Sequence, residues 1–581
     1  MAVGALSYVG LVGWPMTGRH VPPASQDSSD RPEATLAAPP CTIQLQDVTD
    51  ATGIDFQHTD GSSGLRYIVE AMSAGLATFD YDGDGLIDIY FPNGAPLPGL
   101  EVTQPPRHAL YKNLGGWKFR DVTDVAGVAC TAYGLGIGIA DYNEDGFPDV
   151  YLNNFGDNVL YRNNGDGTFR DETHVANVAR GNLVGAGACF LDMDADGDLD
   201  LYVGNYIALD CAQHVPVELD GFPSYPKPTS YSAVPDTLYR SNGDGTFTDV
   251  SQESGVAAHA GRSMGMVCAD YDDDGDTDVF ICNDVQENFL FRNDGHGNFE
   301  EVAILAGVAV NVEGEILANM AVDCGDYDND GRLDLFTTNY QRQFPMLLHN
   351  LGNGLLEDVF RNARAGTSCF RYVNWGLAFI DFDNDGDLDV YVANGHTEDN
   401  IELRDPQGAY RAPNILLAGD GKGGFTDVSA QAGDGMRPVH ASRGVAFDDL
   451  DNDGDIDGVV LNSREKPTVL RNLLRESQEG DHWLQLTLRG RGSNRDGVGA
   501  RVTLVHGKRT QTAEVHSGRG YQSHWGSRLH FGLAKDRRAQ KLVIRWMDGT
   551  SEEFEDLAAD QHLLIIQGTG SPFVIPPGER R

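Results

Sequence analysis

The sequence predicts an all-β protein: a seven-bladed β-propeller followed by a small C-terminal β domain. Three observations lead there. A nine-residue acidic motif, Asp-x-Asp-x-Asp-Gly-x-x-Asp, starts at Asp80 and recurs at Asp141, Asp192, Asp270, Asp326, Asp381 and Asp449. Successive copies lie 51 to 78 residues apart, enough for one four-stranded blade each and too long for the coil of a parallel β-helix. Seventy glycines and short β-rich runs separated by turn residues mark an all-β repeat chain of 581 residues, longer than one core supports.

The elements follow in order. Residues 1–18 are uncharged and mostly apolar, and Val21 to Pro40 are rich in Pro, Ala and Ser. Residues 1–40 read as an export segment and linker, although no Lys or Arg precedes the apolar run; a plain disordered tail is the alternative. Export would place the chain outside the cytoplasm, as a secreted, periplasmic or cell-surface protein.

The propeller is expected over 41–475. Each unit holds a Gly-rich apolar strand such as Gly185–Phe190, the acidic loop, a second strand ending in asparagine, a third such as Leu160-Tyr161-Arg162-Asn163, and a fourth such as Phe119-Arg120-Asp121-Val122-Thr123. Asn164-Gly165-Asp166-Gly167-Thr168 is typical hairpin chemistry. The chain opens on a lone Asp47-Val48-Thr49 strand, while the seventh unit ends at Leu470-Arg471-Asn472 without such a partner. Pairing first strand with last would close the ring and remove two free edges.

Strand parity puts the acidic loops and the glycine turns on one face. The connections after the second strand share the opposite face. Two of these are long, Tyr206 to Asp236 and Gly395 to Pro413, so ligand binding is expected there. Asn93, Asn154, Asn205, Asn283, Asn339, Asn394 and Asn462 end the second strands. They read as amides bonding strand-end turns, or alternatively as a polar ring that meets a ligand.

After Asn472 the period stops. Alternating runs at Trp483–Leu488, Ala500–Leu504 and Lys541–Trp546 mark a compact β domain over 476–570, leaving a tail at 571–581.

Net charge is −44, from 87 acidic and 43 basic side chains. Much of that imbalance is local ligand charge, since 27 of the 28 principal loop positions are Asp. A chain without a basic field is no partner for nucleic acid. No apolar run of membrane-spanning length follows the N-terminus, so no integral membrane body is expected. Eight cysteines do not make a disulfide scaffold; Cys189, Cys268, Cys282 and Cys324 read as small buried hydrophobes, with a Cys268–Cys282 bridge left open.

Carboxylates at alternating positions, with glycine at six for the sharp turn, fold a loop around a hard cation. An EF-hand is excluded, because position twelve reads Phe91, Leu152, Val203, Ile281, Thr337, Val392 and Val460, all strand residues rather than the bidentate Glu that motif needs. Only oxygen donors are offered, which favours calcium over zinc or copper, and nothing else in the motif neutralises the carboxylates.

The loops, with their Leu-Tyr-Arg-Asn and Gly-Asp-Gly-Thr-Phe flanks, resemble FG-GAP/VCBS repeats of the kind found in integrin α-subunit propellers. The stretches Ser493–Val502, Ser517-Gly518-Arg519-Gly520-Tyr521 and Leu529–Leu533 resemble the ASPIC/UnbV domain. Together they are similar to the cartilage acidic protein family over about 41–570. Trp546-Met547-Asp548-Gly549 departs slightly from the family's turn.

The resemblance implies an extracellular, acidic, calcium-binding propeller with up to seven Ca2+ in a structural role. Its ligands would be the side chains at positions one, three, five and nine and the carbonyl at seven. The first set is then Asp80, Asp82, Asp84 and Asp88 with Leu86, and the second is Asp141, Asn143, Asp145 and Asp149 with Phe147. Asn143 replaces a charge, so that loop should bind more weakly. The third is Asp192, Asp194, Asp196 and Asp200 with Asp198; the fourth, Asp270, Asp272, Asp274 and Asp278 with Asp276. Loop five offers Asp326, Asp328, Asp330 and Asp334 with Arg332, and loop six Asp381, Asp383, Asp385 and Asp389 with Asp387. Loop seven offers Asp449, Asp451, Asp453 and Asp457 with Asp455.

No nucleophile elbow, His-Glu-x-x-His pair or phosphate-binding glycine loop is present, and His214, His396 and His440 read as surface or turn residues. The expected function is adhesion or binding of an extracellular protein or glycan. The alternative is a polysaccharide-acting enzyme, lyase or hydrolase, on the same scaffold.

Overall fold

The computed structural model describes residues 41–576 apart from 180, 182, 365, 366 and 475–480. The expected export segment at 1–40 and most of the connector after Asn472 lie outside the described residues.

Among the described residues, 45–472 fold into seven four-stranded antiparallel units, five as separate sheets and two joined in one eight-stranded sheet, with three two-stranded ribbons besides. The first strands of the seven units are Ala77–Phe79, Tyr133–Ala140, Val184–Leu191, Ser263–Ala269, Asn319–Gly325, Asn374–Ile380 and Ser442–Asp448. Each packs beside the next, and Ser442–Asp448 packs beside Ala77–Phe79, so the cycle is closed. Leu45–Asp47 pairs with Thr468–Asn472, with Leu45 opposite Asn472 and Asp47 opposite Leu470, so the first strand completes the last sheet. Sheets two and three also share a pairing at Phe155 and Val184.

Crowding at the axis explains the glycines of the first strands. A Cβ on Gly136 would stand 1.9 Å from the carbonyl oxygen of Ala186 in the neighbouring sheet. A bulge at Gly134/Gly136 bends this strand.

The repeated Asp-x-Thr or Asp-x-Ser has a local cause. Asp121 Oδ1 accepts from the Thr123 amide at 2.9 Å, and Thr123 Oγ1 accepts from the Leu110 amide at 3.0 Å. The same pair of bonds recurs at Asp171/Thr173 with Leu160 and at Asp249/Ser251 with Leu238. In these units the fourth strand is thereby tied to the start of the third.

Residues 482–575 form two four-stranded sheets facing one another over Leu484, Leu486, Val502, Leu504, Phe531, Leu542, Ile544 and Leu563. One sheet runs Leu529–Ala534, His482–Arg489, Gln561–Ile566 and Phe573–Ile575; the other runs Arg509–Glu514, Arg501–His506, Arg538–Arg545 and Ser551–Ala558. Phe573–Ile575, assigned to the tail from sequence, is a paired strand instead: Leu563 stands opposite Val574.

This sandwich seats on the acidic-loop face and inserts the segment Val515–Arg528 among the first strands. Ser517 O accepts from the Phe190 amide, Gly520 N donates to Val322 O, and Gln522 O accepts from the Ile137 amide, at 2.9–3.2 Å. His524 exchanges amide and carbonyl bonds with Thr78 and Leu76. Tyr521 packs edge-on against Trp375 and Trp525 against Phe447. A Cβ on Gly518 would meet Ala188 O at 2.2 Å, so only glycine passes there with its φ of 105°. The segment fills the axis of the ring.

All eight cysteines are free thiols, so Cys268 and Cys282 form no bridge. Their packing is that of small buried hydrophobes: Cys282 lies against Ala321 O and Cys189 against Gly518 O.

Candidate metal centres and a cleft on the opposite face

The acidic loops fold by a shared set of bonds, the third keeping only the position-six bond to position one, so that Asp192 Oδ1 is left without a partner. The position-one carboxylate accepts the amides of positions five and six: Asp80 from Asp84 and Gly85 at 3.0 and 2.8 Å, Asp326 from Asp330 and Gly331 at 2.9 and 3.0 Å. Glycine at six sits at positive φ, 85° at Gly85 and 92° at Gly331. Position five accepts the amide of position seven, as Asp84 does from Leu86, Asp145 from Phe147, Asp274 from Asp276 and Asp453 from Asp455. Position nine begins the second strand and accepts an amide from the third: Asp88 from Asn113 at 2.7 Å, Asp200 from Ser241 at 2.8 Å, Asp457 from Asn472 at 2.8 Å.

Position three is different. In six loops one buried side-chain oxygen there has no hydrogen-bond partner: Asp82, Asn143, Asp194, Asp272, Asp328 and Asp451. In the sixth loop Asp383 accepts from the Thr42 hydroxyl. A buried acceptor left unbonded costs about 1–3 kcal/mol, and repetition at one position marks it as designed for a ligand. Positions one, three and nine converge at Asp80/Asp82/Asp88, Asp192/Asp194/Asp200, Asp270/Asp272/Asp278 and Asp326/Asp328/Asp334, with oxygens within 4.8 Å of one another. These groups can hold a metal ion, and the oxygen set with its orphaned member fits calcium.

Charge supports the same fit. Burial and then neighbouring carboxylates push Asp192 up to about 7, and burial and then Asp334 push Asp326 up to about 8. Burial also raises Asp88, Asp149, Asp278, Asp389 and Asp457 well above the carboxylate range. A cation removes that repulsion.

Two sequence expectations need correction here. The carboxylates do have built-in counter-charges, from the third residue of each Leu-x-x-Asn strand. Lys112 pairs with Asp82 and Asp84, Arg162 with Asp145 and Arg471 with Asp451, while Arg240 and Arg292 act on Asp194 and Asp272. The sixth loop has Ala418 at this place, paired with Thr426, and Arg509 of the sandwich reaches Asp387 instead. Nor are the donors all oxygen, because the fifth loop receives the imidazole of His349.

The sandwich reads the loops through position four, a non-glycine residue at positive φ in six of them. Asn384 Oδ1 meets His530 Nε2 at 2.6 Å, Asn452 Oδ1 accepts from Arg528 at 2.6 Å, and Asp273 pairs with Arg545 at 3.2 Å. It also touches position one: Arg545 pairs with Asp270, Gln485 donates to Asp449 at 2.9 Å, and Asp496 accepts the Asp141 amide at 2.6 Å.

On the opposite face the two long connections meet. Glu398 Oε1 accepts from Ser224 Oγ at 2.6 Å and the Tyr225 amide at 3.0 Å, and Asn400 donates to Pro223 O at 2.8 Å. Arg66 and Arg464 both pair with Asp399, and Arg464 also with Asp60. Beside this bridge lies a cleft of about 1020 Å³, walled by Leu97, Tyr133, Phe155, Leu209, Pro226 and Tyr231, with Asp210, Gln213, His214, Ser230 and Ser232 as polar groups. The strand-end asparagines are not part of it. Each amide bonds a local carbonyl, as Asn93 does Arg107 O, Asn205 Pro235 O and Asn394 Pro413 O. They are turn amides rather than a ligand ring.

Comparison with known proteins now bears on the chain. The FG-GAP-like repeat model matches residues 141–203, 230–281, 270–337 and 326–392, and the ASPIC and UnbV model matches 490–572. The chain carries FG-GAP-like repeats and an ASPIC and UnbV segment. It is 26% identical to cartilage acidic protein 1 of Mus musculus over 383 residues, 64% of this chain and 53% of that protein. Against cartilage acidic protein 1 of Homo sapiens it is 25% identical over 381 residues, 64% and 52% of the two chains. The chain thus spans about half the length of the curated relatives it matches. A solved structure of YCF48 bound to D1 peptide aligns over 75% of this chain and 99% of that one, at 9% identity and a TM-score of 0.38, too slight a likeness to bear on function.

The resemblance read from the sequence is thereby shown. Three features of the FG-GAP-like repeats had escaped it. The strand-three cation was visible in the recurring Leu-Tyr-Arg-Asn. The asparagine of that run donates across to the preceding repeat, Asn163 to Tyr81 O and Asn293 to Met193 O, both at 2.8 Å. The seating of the ASPIC and UnbV segment on the loops had no periodic signal at all.

Proposed function

We propose that this chain is an extracytoplasmic propeller, held together by calcium in its acidic loops, that binds a protein or glycan ligand on the face bearing its two long connections. One observation carries the reading: the ASPIC and UnbV sandwich covers the acidic-loop face and fills the axis, while the opposite face keeps an open cleft at 95–98, 208–217 and 226–232, a large concave surface among the described residues. Orphaned oxygens at position three support calcium in the loops. Calcium would supply a fixed positive charge there, while Asp82 and its counterparts bind it and the position-one carboxylates hold the turn. Among the described residues no helix is long and apolar enough to cross a membrane.

The enzyme reading has less behind it. Tyr225, Arg66 and Arg464 do gather on the ligand face, but the arginines are consumed in ion pairs and burial pushes the Tyr225 hydroxyl far above the range of a working base.

The test is retention of calcium-loaded chain on panels of neutral and acidic polysaccharides and extracellular proteins, with chain cleavage followed in parallel. Tyr231→Ala, in the cleft wall, is expected to weaken retention at least tenfold while leaving the melting temperature in place. Retention unaffected by Tyr231→Ala and by Leu209→Ala moves the ligand site elsewhere, and cleavage of a polysaccharide replaces the binding reading by the enzymatic one.

A further inference from the structure

We propose that the fifth acidic loop is a mixed nitrogen–oxygen site for a first-row divalent metal of the Zn2+ and Co2+ class, with Asp328, Asp334 and His349 as its ligands. The site goes beyond the calcium reading and does not depend on it.

Strand pairing fixes where His349 stands. It lies opposite Glu357, as Lys112 lies opposite Arg120, Arg162 opposite Arg170, Arg292 opposite Glu300 and Ala418 opposite Thr426. Where its counterparts offer an ammonium, a guanidinium or a methyl group, the fifth blade offers an imidazole, whose neutral nitrogen is a metal ligand.

The distances suit a metal better than a hydrogen bond. His349 Nδ1 is 3.3 Å from Asp328 Oδ2 and 3.4 Å from Asp334 Oδ1. Donor atoms at about 2.0–2.1 Å from a tetrahedral Zn2+ stand roughly 3.3–3.4 Å apart. His349 Nδ1 makes no hydrogen bond, and the second oxygens of the two carboxylates, Asp328 Oδ1 and Asp334 Oδ2, are likewise buried without a partner. Asp334 is completely buried, and the Asn350 amide at 2.7 Å holds in place Oδ1, the oxygen that faces the imidazole. The imidazole itself is 21% exposed, which leaves a path for entry. Asp330, the remaining carboxylate nearby, is engaged by Arg332, whose guanidinium also bonds Asn350 O at 2.6 Å.

Imidazole and carboxylate together suit a borderline metal, whereas calcium takes oxygen. Because Asp328 and Asp334 also belong to the loop's oxygen set, the first-row metal would replace calcium in this loop alone.

The experiment titrates Co2+ into the full chain held in millimolar calcium and follows visible absorption and retained cobalt after gel filtration. One equivalent is expected, displaced by Zn2+, and lost by at least tenfold in affinity in His349→Arg, which copies the neighbouring blades. His349→Gln serves if the arginine variant fails to fold, and calcium-dependent melting of either variant reports folding independently. Absence of cobalt binding in the parent, or binding that survives both substitutions, overturns the proposal. Failure of calcium to raise the melting temperature would instead strike the calcium reading and leave this site standing.

Discussion

The two faces of the ring are built from the same repeat and end up with opposite chemistry. On one, seven short loops of nearly fixed length converge on carboxylates, and a second unit lies over them, with Asn384, Asn452 and Asp273 as its contact points. On the other, connection lengths vary, and the two longest meet at Glu398 beside an open cleft. Uniform loops make a surface that can be covered as a whole. Irregular loops make a surface that can be selective. Under the proposed function, the first face serves stability and the second recognition.

If that division holds, perturbing the covered face should cost stability, in decreasing steps. Chelation of the whole chain is expected to have the largest effect, because a site held at a hundredfold excess over its Kd contributes about 2.7 kcal/mol and several loops act together. Differential scanning calorimetry in calcium and in chelator measures it. Next comes Arg519→Ala. Arg519 sits on the axis, bonded to Asp323 at 2.6 Å and Cys324 O at 3.0 Å and stacked 4.0 Å from Trp525, with Asp323 fully buried. Leaving that carboxylate unpaired should cost about 3–5 kcal/mol in urea unfolding. Asp272→Ala removes one orphaned oxygen and one ligand set. It should lower the melting temperature in calcium and narrow the gap to the chelated chain by about one loop's share; an unchanged gap would remove the fourth loop from the account.

A final effect is one of slope, and it lies on the face of the long connections. Asp236 accepts from the Asn205 amide and from Ser263 and Tyr202, and burial pushes it up to about 7. The folded chain therefore keeps this proton at pH values where the unfolded chain has lost it. Stability falls as pH rises from about 4 to 7, and the penalty is complete above that. Asp236→Asn should flatten this part of the pH–stability curve. A curve unchanged by the substitution would place the ionisation elsewhere.

How much of this could be read from the sequence depended on range. Closure by Leu45–Asp47 was legible because the seventh unit lacks a fourth strand of its own, and strand parity alone divided the faces. The shared fold of the acidic loops was legible because the motif's spacing is local. His349 could have been found by aligning the third strands, where it stands in place of Lys or Arg. The covering of the loops could not. Arg545 and Asp270 lie 275 residues apart, and Gly518 is glycine because of Ala188, a contact that no local pattern announces. The cleft was not legible, since its walls come from 95–98, Tyr133, Phe155 and the non-repeating stretch 208–232, which no shared period brings together.

The most direct test of the division is hydrogen–deuterium exchange of the full chain in calcium and in chelator. Loss of protection on chelation should fall on the acidic loops and on Val515–Arg528, with the cleft segments 208–217 and 226–232 exchanging as before. Loss of protection centred on the cleft, or none in Val515–Arg528, would contradict the assignment of stability to one face and recognition to the other.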